Sequence, residues 1–466
     1  MASPSNTRFV IAGATAAQQE AIDTLVKQFV LSDEQLGRVI KEFRRRMEEG
    51  LTADGKMLKM IPSYVTRRPT GNETGAYFAI DLGGTNLRVL RVELDGKGGV
   101  KTEHQKFTLT EEAKSRTLFD FIAQCVETFL DDRNLRPTGQ QSVIQMGFTF
   151  SYPVDQTSIN SGTLIQWTKG LNVPGCVGRD VVRLLQDALL RLGLRVKVVA
   201  LVNDSVGTLL SAAYSNPPSQ MGIIFGTGTN AAFYEKVDSL TKWKGPSPAS
   251  GEMVLSIEWG AFDSDEFGCL PYTQHDIKLD RKSINPRKQA YEKMISGMYL
   301  GEVARNVLLW MTDQRLFLNG RSSEIFNAMW SIDTSYLSSA VVDSSPDLVE
   351  IQQLIEKTMN VPDSTMIDRQ IFKVVATLVG ERSARLSAIG LTATLLKRPD
   401  VLEHPVNIGI DGSMYEHFPN FGSIMASTVS RFLTEAQFKN VTFSLAKDGS
   451  GVGAAIIAML AALPEN

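Results

Sequence analysis

An acidic residue followed by two glycines interrupts an apolar strand near residue 81. The stretch "FAIDLGGTNLRVLRVELDG", residues 78–96, has the pattern of strand, turn and second strand, with Asp81 where the first strand ends. Glycine lets consecutive backbone N–H groups converge on an anion, and a carboxylate suits a Mg²⁺ ion that it shares with phosphate oxygens. The stretch therefore predicts half of a nucleotide–magnesium site, although a simple tight hairpin also fits it.

A second glycine-rich turn repeats this plan. "MGIIFGTGTNAAFYEK", residues 221–236, is again strand, turn and strand, and "VNIGIDGSMYEHF", residues 406–418, offers a third strand that ends in Asp-Gly-Ser. Three such turns favour duplication of one α/β unit, with the second turn as the opposing half of the phosphate site. A dinucleotide fingerprint is rejected for the second turn because a strand, and not a helix, follows it.

A carboxylate also lies between an apolar strand and a helix at residue 204, in "VVALVNDSVGTLL". The carboxyl ends of strands in an α/β sheet face the crevice where ligands bind, so Asp204 is a candidate catalytic group. Aspartate is equally common as a helix N-cap, and spacing alone does not decide between these roles. Polar residues in nearby loops add further candidates, namely Ser151, Thr168, Lys169 and Glu258.

Composition excludes several other classes of protein. The chain has 466 residues, 43% of them hydrophobic and 21% charged, so two or more lobes are expected at this length. The net charge of −3, from 48 basic and 51 acidic residues, provides no field for nucleic acid or an anionic membrane. Three dispersed cysteines imply no disulfide framework, and no secretory signal or membrane span is recognisable. These features predict a cytoplasmic protein.

The elements that must position these residues alternate between strand and helix. An amphipathic helical region over 16–50, with Ser32 as a plausible N-cap, precedes a connector rich in proline and glycine at 61–75. The alternation that follows predicts an α/β layer, and helical patterns dominate 286–312 and 347–398. The predicted strands are 76–82, 87–94, 143–151 and 196–203, and the predicted helices between them are 115–131 and 178–192.

The order of these motifs resembles the hexokinase family of ATP-dependent sugar kinases from about residue 30 to 460. The stretches that carry the resemblance are "DLGGTNLRV", "GFTFSYP", "WTKG", "LVNDSVGTL", "GTGTNAAF", "EWGAF", "YEKMISGMYLGE", "DGSMY" and "DGSGVGAA". The resemblance implies an α/β, two-lobed actin-like ATPase (ribonuclease H-like) fold with an interlobe cleft. It further implies a small lobe of 66–203 plus 447–466 and a large lobe of 1–65 plus 204–446.

The same resemblance implies transfer of the ATP γ-phosphate to the 6-hydroxyl of a hexose-type sugar, with ATP and Mg²⁺ as cofactors. Asp204 is then the base, Lys169 a second catalytic residue, and Asp81 the residue that organises Mg²⁺ through water. The implied sugar-binding residues are Ser151, Thr168, Lys169, Asn203, Asp204, Asn230, Glu258, Gln289 and Glu292. The implied nucleotide-binding residues are Asp81, Gly83, Gly84, Thr85, Asn86, Arg88, Gly226, Thr227, Gly228, Asp411, Gly412 and Ser413.

Two departures from the family pattern bear on the substrate. Ser256 stands where the family usually has asparagine, and Arg287 stands where it commonly has glycine, in a loop near the sugar 2-position. The arginine is expected to change the shape of that loop, so glucose and N-acetylglucosamine are weighted about equally. A sugar sensor with little activity is the alternative function, and an ATPase indifferent to sugar is a third. The sequence gives no oligomeric state.

Overall fold

The computed structural model describes residues 9–83, 86–110, 112–114, 118–138, 142–167 and 171–463. Four of the predicted site residues lie outside these ranges, namely Gly84, Thr85, Thr168 and Lys169.

Thirteen strands occur within the described residues. They are β1 (Ile61–Pro62), β2 (Thr74–Leu82), β3 (Asn86–Asp95), β4 (Val100–Thr108), β5 (Ile144–Phe150), β6 (Val154–Ser158), β7 (Ser161–Leu164), β8 (Val196–Val202), β9 (Ser219–Phe225), β10 (Thr229–Lys236), β11 (Glu252–Ser256), β12 (Val406–Asp411) and β13 (Val441–Leu445). The strands predicted at 76–82, 87–94, 143–151 and 196–203 correspond to β2, β3, β5 and β8, whereas β4 was not predicted.

Sixteen α-helices occur in the same part of the chain. They are α1 (Ala16–Phe29), α2 (Asp33–Thr52), α3 (Leu118–Asp132), α4 (Val181–Arg191), α5 (Asp204–Ser215), α6 (Gln274–Lys282), α7 (Ala290–Ile295), α8 (Gly297–Asp313), α9 (Glu324–Asn327), α10 (Thr334–Val342), α11 (Val349–Gln353), α12 (Met366–Lys397), α13 (Ser413–His417), α14 (Phe421–Ser430), α15 (Glu435–Lys439) and α16 (Gly449–Ala462).

The helical region predicted over 16–50 is in fact two helices. Ser32 caps α2, because its hydroxyl accepts from the backbone N–H of Gln35 while the Gln35 side chain accepts from the N–H of Ser32. Such a capping box starts a new helix and so separates α2 from α1. The predicted apolar stripe of α2 is buried: Leu36, Val39, Ile40, Phe43 and Met47.

The two main sheets have the same topology. In the five-stranded sheet, β4, β3 and β2 form an antiparallel meander, and β5 and β8 continue it in parallel with β2. In the six-stranded sheet, β11, β10 and β9 form the meander, and β12 and β13 continue it in parallel with β9. Strand β1 adds only an edge pairing to β11. This equivalence supports the hypothesis of a duplicated α/β unit.

Helices α5 and α16 lie between the two sheets. Helix α16 packs against β2, β5 and β8, while α5 packs against β9, β10 and β12 and also against α16. Glycines permit this close crossing, since a Cβ at Gly453 would stand 1.8 Å from the carbonyl oxygen of Gly207. A buried apolar cluster with members such as Val206, Ala232 and Ile457 joins the helix pair to both sheets. The lobe boundaries themselves stay a prediction.

Candidate active site

Asp204 is the first residue of α5, at the point where β8 ends between the two sheets. The N-cap of this helix is Asn203, whose side-chain oxygen accepts from the backbone N–H of Ser205 at 3.0 Å. Asp204 is half-buried, and its Oδ1 accepts from the same N–H at 2.8 Å. Asn203 is therefore the cap of α5, and the carboxylate of Asp204 lies in the first helical turn, where a negative charge is favoured. The catalytic role of Asp204 stays a prediction.

A cluster of buried polar side chains lies at the adjacent end of the six-stranded sheet. The Nδ2 of Asn230 is 2.9 Å from both Ser256 Oγ and Glu258 Oε1, and it is 3.4 Å from Asn203 Oδ1. The Ser256 hydroxyl donates to the same Glu258 oxygen at 3.1 Å. Hydrogen bonds thus connect Glu258, through Asn230, to the residue that precedes Asp204.

The backbone of Glu258 adopts an unusual conformation that directs this carboxylate. Its φ and ψ of 59° and 46° lie in the left-handed region, which costs a non-glycine residue about 1–3 kcal/mol. The structure holds it there in two ways: the N–H of Glu258 donates to Asn230 Oδ1 at 3.0 Å, and the indole of the fully buried Trp259 donates to Thr229 Oγ1 at 2.9 Å.

Glu292 and Gln289 approach the same strand from the start of α7. The backbone N–H of Thr229 donates to Glu292 Oε2 at 2.9 Å, and a Cβ at Gly228 would stand 2.7 Å from that oxygen. A Cβ at Gly260 would lie 3.3 Å from Gln289 Oε1. The structure therefore brings the predicted residues Asn230, Glu258, Gln289 and Glu292 together around the first residues of β10.

The loop that contains Arg287 keeps a backbone that suits glycine. Arg287 has a φ of 59°, and its N–H lies 3.1 Å from both carboxylate oxygens of Asp280. Its guanidinium donates to the Asp265 carbonyl at 3.1 Å and lies 5.1 Å from the centre of the Phe267 ring. Lys293 Nζ lies 2.7 Å from the same Asp280 carboxylate and forms an ion pair with it. These contacts hold the loop in its observed shape, and the effect of Arg287 on the sugar 2-position stays a prediction.

A chain of charges occupies the predicted nucleotide side. The guanidinium of Arg88 lies 2.5 Å from Asp81 and 2.5 Å from Asp448, which directly precedes α16. Asp411 Oδ2 accepts from the N–H of Gly449 at 3.0 Å. Burial raises the pKa of Asp411 to about 6, against the opposing effect of this backbone hydrogen bond. Arg88 thus links the end of the five-stranded sheet to the start of α16.

The turn at 226–228 is held by the first N–H groups of α8. Gly297 donates to the carbonyl of Gly226 at 2.8 Å, and Met298 donates to that of Thr227 at 3.2 Å. Gly412, with a φ of 115°, packs directly behind the turn, where a Cβ would lie 2.3 Å from the Phe225 carbonyl oxygen. Only glycine fits there. Gly412 therefore lies directly beside the turn, and the next residue, Ser413, begins α13.

The first glycine-rich turn connects β2 to β3. The N–H of Gly83 donates to the carbonyl of Asn86 at 2.9 Å, and this hydrogen bond closes the turn. The hydroxyl of Tyr152 donates to the Gly83 carbonyl at 3.1 Å. The turn is thereby tied to the loop after β5, which includes the half-buried Ser151.

A cavity opens between the two sheets at this position. Tyr152, Pro153 and Asn203, which follow strands of the five-stranded sheet, line it on one side, and Ser256 and Glu258 line it on the other. The predicted sugar-binding loop around residues 168–169 lies outside the described part of the chain. The preceding Trp167 packs edge-on against Tyr152, with ring centres 5.0 Å apart.

Sequence reasoning missed two residues of this site. Asp448 was not assigned, although it opens the glycine-rich stretch "DGSGVGAA" and so repeats the acidic-residue-then-glycine signal of Asp81. Ser256 was noticed only as a departure from the family pattern. No local signal identifies its role, since its partners Asn230 and Glu258 are visible only in the folded chain.

The described residues fit a magnesium ion that arrives with a nucleotide. No group of three or more His, Cys, Asp or Glu side chains in that part of the chain is placed to hold a metal ion by itself. Mg²⁺ usually takes one or two carboxylates and completes its shell with phosphate oxygens and water. The carboxylates of Asp81, Asp411 and Asp448 supply the preferred oxygen donors.

Comparison with known proteins assigns the chain to a family. Two family models, both described as hexokinase, match residues 21–214 and 220–460. Hexokinase-2 of Candida albicans is 39% identical over 452 residues, which cover 95% of this chain and 92% of the relative. A glucokinase of Aspergillus niger is 38% identical over 480 residues, with 95% of each chain covered. Hexokinase of Schistosoma mansoni, solved in complex with glucose, has a TM-score of 0.84 at 35% identity, covering 95% of this chain and 99% of that one.

The fold and the site therefore define a sugar kinase with the two-lobed actin-like ATPase fold. The chain belongs to the hexokinase family, and it is an ATP-dependent phosphotransferase that acts on hexoses. Within the described ranges, every helix is too short or too polar to cross a bilayer.

Proposed function

We propose that this enzyme transfers the terminal phosphoryl group of ATP to the 6-hydroxyl of glucose, with Asp204 as the general base. The observation that carries the proposal is the position of Asp204. Its carboxylate lies in the first turn of α5, next to Asn203, which shares a cavity with Glu258 and Tyr152. A base must come within hydrogen-bond reach of the proton that it accepts, and this cavity is where a sugar can meet both sheets.

The proposed chemistry needs little beyond alignment and charge balance. Asp204 accepts the proton of the primary hydroxyl while the hydroxyl oxygen attacks the terminal phosphorus, and ADP leaves. Backbone N–H groups of the glycine-rich turns and the Arg88 guanidinium balance the charge on the phosphate oxygens. Mg²⁺, when bound with ATP, further neutralises those oxygens, and Asp81, next to Arg88, is the residue that would hold it.

Sugar recognition is assigned to both sides of the cavity. From the six-stranded side we propose Asn230, Glu258, Gln289 and Glu292, which lie close together, because carboxylates and amides can pair with several hydroxyl groups at once. From the other side we propose Ser151, Thr168, Lys169 and Asn203. For Thr168 and Lys169, which lie outside the described residues, the proposal rests on the family motif alone.

Glucose is proposed in preference to N-acetylglucosamine. The relatives compared above include a hexokinase of Candida albicans and a glucokinase of Aspergillus niger, and the hexokinase of Schistosoma mansoni was solved in complex with glucose. The argument for a larger 2-substituent rests on the single substitution at Arg287.

The test is an ADP-release assay with glucose and with N-acetylglucosamine, on the wild type and on Asp204→Asn. We expect turnover on glucose and a loss of about 10²–10⁴-fold in kcat for the variant, with an unchanged unfolding temperature. Asp187→Asn, at an exposed position of α4, is the matched control and should retain full activity. Glucose binding without turnover by the wild type would support a sensor, and preferred turnover of N-acetylglucosamine would replace glucose as the substrate.

We also propose that the lobes 66–203 plus 447–466 and 1–65 plus 204–446 close over the substrates in the cytoplasm. The close crossing of α5 and α16 between the sheets supports these boundaries as a hinge. Small-angle scattering should show a smaller radius of gyration when glucose is added, and an unchanged radius would contradict closure.

A further inference from the structure

The Ser256 hydroxyl makes its hydrogen bonds with side chains of the proposed sugar site. Two buried serines elsewhere donate to backbone carbonyls: Ser383 donates to Ile295 at 3.0 Å, and Ser63 donates to Val254 at 2.7 Å. Ser256 instead accepts from Asn230 Nδ2 at 2.9 Å and donates to Glu258 Oε1 at 3.1 Å. Both partners are side chains that belong to the proposed sugar site.

The Ser256 hydroxyl is one of three acceptors around the Asn230 amide nitrogen, while the amide oxygen accepts from the backbone N–H groups of Ala231 and Glu258. Asn230 Nδ2 has two hydrogens but three acceptors within reach, namely Ser256, Glu258 and, at 3.4 Å, Asn203. Ser256 is only 3% exposed, so water cannot readily take the place of its hydroxyl. Removing this hydroxyl would leave Asn230 with a different choice of partners and Glu258 with one donor fewer on Oε1.

Ser256 also lines the cavity between the sheets, together with Glu258 and Asn203. Its effect therefore reaches the side of Glu258 at which a ligand binds. A serine whose role was limited to packing would have no reason to place both of its hydrogen bonds within one polar cluster.

We propose that Ser256 is a positioning residue for sugar recognition. Its hydroxyl acts with the Asn230 amide to fix the Glu258 carboxylate, so that Glu258 binds one particular hydroxyl group of the sugar. This inference rests on the proposed function, because it assigns Glu258 to sugar binding. It goes further in making recognition of a single hydroxyl depend on a residue that the resemblance did not include in the site.

The test compares Ser256→Ala and Ser256→Thr on glucose and on its 2-, 3- and 4-deoxy analogues. Loss of the hydroxyl should raise the KM for glucose about 10–100-fold, the range for a hydrogen bond to a charged group, and change kcat less than about threefold. Ser256→Thr, which keeps a hydroxyl, should restore KM to within about threefold. Ser383→Ala removes the hydroxyl of a buried serine outside the site. It should leave the KM for glucose unchanged when its free energy of unfolding equals that of Ser256→Ala.

The deoxy sugars separate positioning from simple destabilisation. With the analogue that lacks the hydroxyl bound by Glu258, the penalty of Ser256→Ala should fall to about twofold or less, and Glu258→Gln should lose its effect on the same analogue. The proposal would be overturned if Ser256→Ala raised the KM equally on every sugar. It would also be overturned if the analogue that removes the effect of Ser256→Ala differed from the analogue that removes the effect of Glu258→Gln.

Two outcomes distinguish this inference from the function on which it rests. If the wild type turns over glucose but Ser256→Ala behaves like wild type, the positioning role alone is wrong. If the wild type turns over no sugar, the proposed function is wrong. Should Ser256→Ala be too unstable to assay, Ser256→Cys keeps the volume with a weak donor and gives the same comparison.

Discussion

Two regions of this molecule contain buried charged or polar side chains, and they differ in whether those side chains also line a cavity. In the helical core beside the six-stranded sheet, Arg382 binds Asp276 through two hydrogen bonds of 2.7 and 2.8 Å, and both side chains are almost inaccessible to solvent. In the cleft, Asn230, Ser256 and Glu258 form an equally close set of contacts, but Ser256 and Glu258 also line a cavity shared by both sheets.

The difference teaches that burial of polar groups does not by itself identify a site. Protein groups surround the Asp276–Arg382 pair: Thr273 also donates to the carboxylate, and the Phe29 ring covers the guanidinium at 4.3 Å. Such a pair contributes to the folded state only while both partners are present. The cleft cluster has protein on one side and the cavity on the other, which is the arrangement that a ligand needs.

Breaking the Asp276–Arg382 pair should have the largest effect of all and should affect stability only. Asp276→Ala leaves an unpaired buried guanidinium, and we expect a loss of about 3–5 kcal/mol in the free energy of unfolding, measured by urea titration. The KM values for glucose and ATP, measured where the variant is folded, should not change. Asp238→Ala, at an exposed position, is the control; a large KM change in Asp276→Ala would show that the two regions are coupled.

The second prediction concerns His275, which lies in the same core between Phe29 and Trp310. Burial lowers the pKa of His275 from 6.5 to about 4, so the folded state favours the neutral ring. Its contribution is complete above pH 6.5 and is lost as the pH falls through 4, up to about 3 kcal/mol. His275→Phe should flatten this part of the stability–pH curve, and the same change at the exposed His404 should not. A curve of unchanged slope would contradict the prediction.

In the cleft, Glu258→Gln should have the opposite signature. The amide keeps an oxygen acceptor for Asn230 and Ser256 but loses the charge that we assign to sugar binding. We expect the KM for glucose to rise about 10–100-fold, with the free energy of unfolding changed by less than about 1 kcal/mol. A variant that unfolds easily but binds glucose normally would place Glu258 with the structural charges.

The smallest effect is expected at Arg88. This residue forms ion pairs with Asp81 and Asp448, as a structural charge does, but its side chain is also 27% exposed, as a ligand-binding residue requires. Arg88→Met leaves two carboxylates without their cation beside the site that we propose for the ATP phosphates. We expect the KM for ATP to rise up to about tenfold while the KM for glucose changes less. An unchanged KM for ATP would make the Arg88 contacts purely structural.

Local signals predicted the framework of this protein well. Strands β2, β3, β5 and β8 followed from apolar runs, and the Ser32 cap followed from a serine before an amphipathic helix. The division at 30–32 was not recognised, because amphipathic periodicity continues across it and only the capping box marks a new start. Strand β4 was missed since it is a mostly exposed edge strand with little apolar pattern.

The site was predicted less completely because its contacts join distant parts of the chain. Arg88 and Asp448 are 360 positions apart, and Asn230 and Ser256 lie on neighbouring antiparallel strands. The contacts of Arg287 were also not predictable from residue order. This residue has a positive φ of 59°, and contacts with Asp280 and Phe267 hold its loop.

The sequence by itself determined the α/β class, the glycine-rich turns at strand ends and, through the order of nine short motifs, the family. These features depend on residue type and local spacing, which the chain states directly. Only the tertiary structure decided that Asn203 and not Asp204 caps α5, that the two sheets share one topology, and that Ser256 contacts Glu258. Those outcomes depend on which distant surfaces pack together, and hydrogen-bond partners are chosen by that packing and not by position along the chain.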